Sequence, residues 1–205
     1  MKNSKLTGLV LSIAVAMIII GCNKKHDKNP GEPVKSVENS RNTLSGQEVS
    51  IHQAALNGEK DIVSELLQNG YDVNETDADG RTALMYAAFN GHTGLVSMLL
   101  ENKAFLDSKD IAGRTALMFA ASGPFPETVK LLLEHQADPN VVDFDEHFTA
   151  LMFAASEGHI ASVKILLDYK ADPFMKDKDG DMALTFAQKN GHTEVAALLR
   201  EQIKK

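Results

Sequence analysis

From about residue 46 onward, apolar and small residues recur on two scales. Within residues 80–100, GRTALMYAAFNGHTGLVSMLL, they fall three and four apart, the spacing of helices with one buried face. Along the chain the whole pattern then returns. Paired alanines stand at Ala54-Ala55, Ala87-Ala88, Ala120-Ala121 and Ala154-Ala155, and Ala187 continues the series, with steps of 33, 33, 34 and 33 residues. Leu66, Leu99, Leu132, Leu166 and Leu199 keep the same time, as do Gly58, Gly91, Gly158 and Gly191. Five copies in register imply a repeat array.

One copy can be read physically. Thr82 is an N-cap, and Ala83–Ala88 is a short run of strong helix formers. Asn90-Gly91 ends it, because glycine accepts the left-handed conformation at a helix C-terminus. A second helix is predicted over Thr93–Leu100, with Val96, Leu99 and Leu100 on one face. Asp77-Ala78-Asp79-Gly80 reads as a hairpin-type turn. Such a unit cannot bury its apolar face alone, but stacked copies can.

GRTALMYAAFNGH at this step resembles the ankyrin repeat, whose core normally reads Gly-x-Thr-Pro-Leu-His-x-Ala-Ala. The resemblance covers about residues 46–201 and implies an all-α solenoid of about five helix–turn–helix repeats. The chain departs from the family pattern in reading TALM at 82–85, 115–118 and 149–152 and MALT at 182–185; only His52 keeps the family histidine. The first copy lacks the Asp-x-x-Gly turn and reads as an N-terminal cap. The last, with Lys189, Arg200, Glu201, Gln202, Lys204 and Lys205, reads as the C-terminal cap.

The N-terminus has a different pattern. Lys2 and Lys5 precede an uncharged run, Leu6–Ile20, which suits a signal-peptide core and is short for a spanning helix. Ile19-Ile20-Gly21-Cys22 resembles the lipobox of bacterial lipoproteins, which implies cleavage before Cys22 and acylation of that residue, the only cysteine. The predicted domains are therefore a signal peptide over 1–21, a lipidated Cys22 with a polar tether over 22–45, and the repeats over 46–205. The tether contains Pro30 and Pro33, has no apolar stripe, and is expected to be disordered, a coil spanning ~27 Å. Asn23 after the cysteine implies, by the same resemblance, the outer membrane over the inner, with the repeats facing the periplasm.

Charge narrows the partners. Residues 46–205 hold 14 Lys/Arg and 25 Asp/Glu, a formal net charge of −11. Such a surface favours a partner with a basic patch and disfavours nucleic acid, whose phosphates it repels. No HExxH, CxxC or nucleophile-elbow pattern is present. Asp177, Asp179 and Asp181 have the spacing that opens a calcium loop, but Met182 and Gln188 stand where that loop needs glycine and glutamate, so they read as turn residues. His92, His159 and His192 each follow the inter-helix glycine, where the family resemblance implies bridges between loops. Met85, Met118 and Met152 read as core filler. Tyr86, Phe119, Phe153 and Phe186 recur in register, as framework or as an aromatic stripe facing a partner, with framework favoured. The expectation is therefore a protein with no enzymatic role, no cofactor and no metal.

Copy-to-copy departures point to contacts. The turn at residues 143–148 has one extra residue and no glycine, and it puts Phe144, Asp145, Glu146, His147 and Phe148 on an expected exposed finger. Ser122-Gly123-Pro124-Phe125 replaces the usual inter-helix turn, with Phe125 expected to project. Ile111, Arg114, Lys178, Asp179 and Asp181 occupy turn positions variable in the family, as do Asp79 and Arg81, while Phe89, Ser156 and Glu157 follow the alanines. These residues are the candidate protein-binding surface, on a module expected to be monomeric when unbound. Some ankyrin lipoproteins resembling this chain are immunity proteins that neutralise a secreted toxin, often a lipase. The alternative is a periplasmic scaffold or stress-protection protein for a housekeeping enzyme such as a catalase.

Overall fold

The computed structural model describes residues 43–44 and 47–204. The signal peptide, Cys22 and most of the expected tether lie outside the described residues. Two two-residue strands come first. β1 (Thr43–Leu44) pairs antiparallel with β2 (Gln47–Glu48), with Thr43 opposite Glu48. β1 falls within the tether expected to be disordered; its pairing with β2 is made by backbone bonding and needs no apolar stripe to announce it.

Ten helices follow among the described residues: α1 (Ile51–Asn57), α2 (Lys60–Gln68), α3 (Ala83–Phe89), α4 (Thr93–Glu101), α5 (Ala116–Ala121), α6 (Pro126–Glu134), α7 (Ala150–Glu157), α8 (Ile160–Asp168), α9 (Ala183–Lys189) and α10 (Thr193–Ile203). They form five pairs, the all-α solenoid expected. The first helices pack in one row, α1 on α3, α5, α7 and α9 in turn, and the second helices line up behind, with α4, α6, α8 and α10 in contact.

The local chemistry explains the starts and stops. Thr82 and Thr149 accept hydrogen bonds from the N–H groups of Met85 and Met152, at 3.4 and 3.2 Å. Where the order is reversed, as MALT, Thr185 Oγ instead accepts from the Met182 N–H at 3.3 Å. Gly58 and Gly158 close α1 and α7 with φ of 73° and 77°. The alanines let first helices meet closely: Ala54, Ala55, Ala87, Ala88, Ala120, Ala121, Ala154, Ala155 and Ala187 are all fully buried. Leu66, Leu99, Leu132, Leu166 and Leu199 fill the space behind them, and Met85, Met118 and Met152 are buried as core filler. Among the described residues no helix is long and apolar enough to cross a membrane.

Candidate functional site

Four hairpin turns, here called fingers, precede α3, α5, α7 and α9. Each starts with an aspartate whose side chain makes the turn. Asp77 Oδ1 accepts the N–H groups of Asp79 and Arg81, Asp110 those of Ala112 and Arg114, Asp143 those of Glu146 and Phe148, and Asp177 those of Asp179 and Asp181, all at 2.8–3.0 Å. Backbone bonds then run from finger to finger: Ile111 N–H to Asp79 O at 3.0 Å, Phe144 N–H to Ala112 O at 2.8 Å, and Lys178 N–H to Glu146 O at 3.0 Å. The fingers thus form a continuous ladder, and matching positions face the same way from one finger to the next.

That register puts Ala78, Ile111, Phe144 and Lys178 in one row across the tips. Ile111 is 69% exposed and Phe144 57%. The Phe144 ring lies against Gly113, where a Cβ would come within 2.7 Å of it, and the Lys109 Nζ stands 5.2 Å from the ring centre. Asp145, Glu146, His147 and Asp179 are exposed beside it. Among the described residues no group of three or more His, Cys, Asp or Glu could hold a metal ion.

Several candidate residues turn out to be structural. Arg114 was expected at an open turn position, but it is 7% exposed. Its Nε and Nη2 donate to Asp110 Oδ2 at 2.9 and 2.7 Å, and its guanidinium lies 5.0 Å from the Phe119 ring centre. Phe148 is corrected as an exposed finger aromatic. It is half-buried between Phe153 and Phe186, with ring centres at 5.5 and 4.8 Å. Phe125 does not project: it takes the place of the loop histidine and lies over Gly91, where a Cβ would meet its ring at 2.1 Å. Phe89 is half-buried, edge-on to Phe119 at 6.1 Å. Lys178 is exposed, yet its Nζ reaches from the fourth finger to the third and donates to the carbonyls of Phe144 and Asp145. Asp181 pairs with Lys189, and Glu157 is half-buried at the end of α7.

The sequence reading missed a network at the second repeat. Tyr86 Oη donates to Asp77 Oδ2 at 2.6 Å, and Arg81 lies 3.3 Å from Asp79. Burial pushes the Asp77 carboxyl up, but hydrogen bonds from Tyr86 and from the Arg81 and Asp79 backbone outweigh it and hold the group below its ordinary pKa. Burial, with donation to Asp77, raises the Tyr86 phenol. Only Tyr86, of the four aromatics in register, carries a hydroxyl, and that single oxygen was the available signal. The histidines bridge loops: the Nε2 atoms of His92, His159 and His192 donate to the carbonyls of Leu56, Ser122 and Ser156 at 3.1, 3.3 and 2.9 Å.

Paired helices stacked in two rows, with laddered fingers along one edge, define a helical repeat solenoid built for contact with other proteins. Residues 51–143 and 125–205 match the family model for ankyrin repeats in three copies. The chain belongs to the ankyrin-repeat family, whose repeats are protein–protein interaction modules. No curated protein matches it.

Proposed function

We propose that the repeats bind a partner protein through the finger row, as a non-enzymatic module held at the bacterial envelope by lipid on Cys22. The observation that carries this reading is the exposure of Ile111 and Phe144, 69% and 57%, on neighbouring fingers joined by a backbone hydrogen bond between Phe144 and Ala112. Large apolar side chains side by side at turn tips are uncommon on a surface that meets only water. Asp145, Glu146 and Asp179 around them select an apolar knob flanked by Lys or Arg. The most specific form of this reading is an immunity protein, which neutralises a secreted toxin such as a lipase at the membrane that the toxin attacks.

The test is capture of the partner by the full chain, followed by affinity measurements on variants. Phe144→Ala and Ile111→Ala are expected to weaken binding by about thirtyfold each, as truncated central anchors do. Asp145→Lys is expected to slow association, more at low salt than at high. Unchanged affinity in both apolar variants would move the site off the finger row. A captured housekeeping enzyme would replace the immunity reading with the scaffold one.

A further inference from the structure

Neighbouring repeats are clamped at two places in addition to the fingers. The first is the loop after the second helix, where an asparagine spans the first and third seams and Phe174 stands in register at the fourth. Asn74 accepts the Phe105 N–H at 2.6 Å and donates to Lys103 O at 3.2 Å, tying the first repeat to the second. Asn140 accepts the Asp172 N–H at 2.8 Å and donates to Lys170 O at 3.2 Å, tying the third to the fourth. The residue in register between them is Asp107. A carboxylate can only accept, and it takes the Asp138 N–H at 3.3 Å with the Asp138 carboxylate beside it. The amide that donates across the other two seams has no counterpart here.

The second clamp is the inter-helix turn. His92 and Asn90 both donate to Leu56 O, at 3.1 and 2.6 Å, across the first seam. His159 donates to Ser122 O across the third. His192 and Asn190 donate to Ser156 O, at 2.9 and 2.8 Å, across the fourth. At the second seam the residues in register are Phe125 and Gly123, and neither side chain has a donor for the Phe89 carbonyl. The side-chain donor is therefore missing from both clamps at this one seam. What remains there is the Asp107–Asp138 bond, the Thr93–Thr128 hydroxyl pair at 2.7 Å, the Ile111–Asp79 backbone bond, the Arg81–Asp110 ion pair at 4.0 Å, the Phe125 ring over Gly91 and apolar contact between α3 and α5.

We propose that the array carries a built-in parting line between its second and third repeats, at which it opens into a two-repeat and a three-repeat block. Stacked repeats hold together through nearest-neighbour interfaces, so an array parts where an interface is weakest. The smaller block, α1 to α4, opens first, because it has fewer interfaces of its own.

The test is native-state hydrogen exchange of the full chain in sub-denaturing urea, read by mass spectrometry. Amides in α1–α4 are expected to exchange at least about tenfold faster than those in α5–α10 at the same urea concentration. Asp107→Asn restores the amide donor and Phe125→His the ring donor, and together they are expected to bring the two blocks to one rate. A single cooperative loss of protection in the wild type overturns the proposal. So does a split at another seam, or a split that the double variant leaves in place.

Discussion

At the scale of the residue, the third finger separates two phenylalanines only four positions apart. Phe144 rests on Gly113 with most of its ring in water, whereas Phe148 is wedged between Phe153 and Phe186. Removing an enclosed ring costs the transfer free energy of its apolar surface and leaves a cavity, and removing an exposed one costs little of either. Phe148→Ala is expected to lose about 2–3 kcal/mol of stability, and Phe144→Ala under about 0.5 kcal/mol. Urea unfolding of the two variants checks this. Equal losses would mean that Phe144 is framework and contributes to the core. Arg114 teaches the same lesson: a charge at a variable turn position need not face a partner when Asp110 stands 2.7 Å from its Nη2.

At the scale of the element, the fingers show how a turn accommodates an insertion. Gly80, Gly113 and Gly180 supply the positive φ that closes three of them, at 73°, 81° and 86°. In the third finger, His147 takes that role at φ 61°. A side chain in the left-handed region costs about 1 kcal/mol relative to glycine. His147→Gly is therefore expected to raise stability by about 0.5–1 kcal/mol, measured as an upward shift of the urea midpoint without a change of slope. A lower midpoint would mean that the imidazole contributes a contact worth more than the strain. The elements were legible in the sequence because helix formers, N-cap threonines and glycines recur every 33 or 34 residues, and each copy corroborates the next. The site was legible only in part. Departure from the repeat located the odd fingers, but it does not distinguish a side chain that faces out, like Phe144, from one that turns in, like Phe125 and Phe148. That choice depends on which glycine or ring the neighbouring copy offers, a contact between residues more than 30 positions apart in the chain.

At the scale of the whole molecule, charge bears on the proposed anchoring. Residues 46–205 carry a net charge of −11, and anionic lipid surfaces repel such a domain. Surface attraction therefore cannot hold the repeats at a membrane, and among the described residues no helix can cross one. The means proposed here is covalent, through acylation of Cys22 after Leu6–Ile20. More than one acyl chain gives stable anchoring, and such anchoring does not respond to salt. The full chain is expected to sediment with membranes and to stay there through a wash in about 1 M salt, which shortens the Debye length to about 3 Å and releases electrostatically bound protein. Cys22→Ser is expected to be released or to remain unprocessed. If the serine variant is cleaved and sediments as the wild type does, the anchor lies elsewhere, and the lipoprotein reading is wrong even if the finger row binds its partner as proposed.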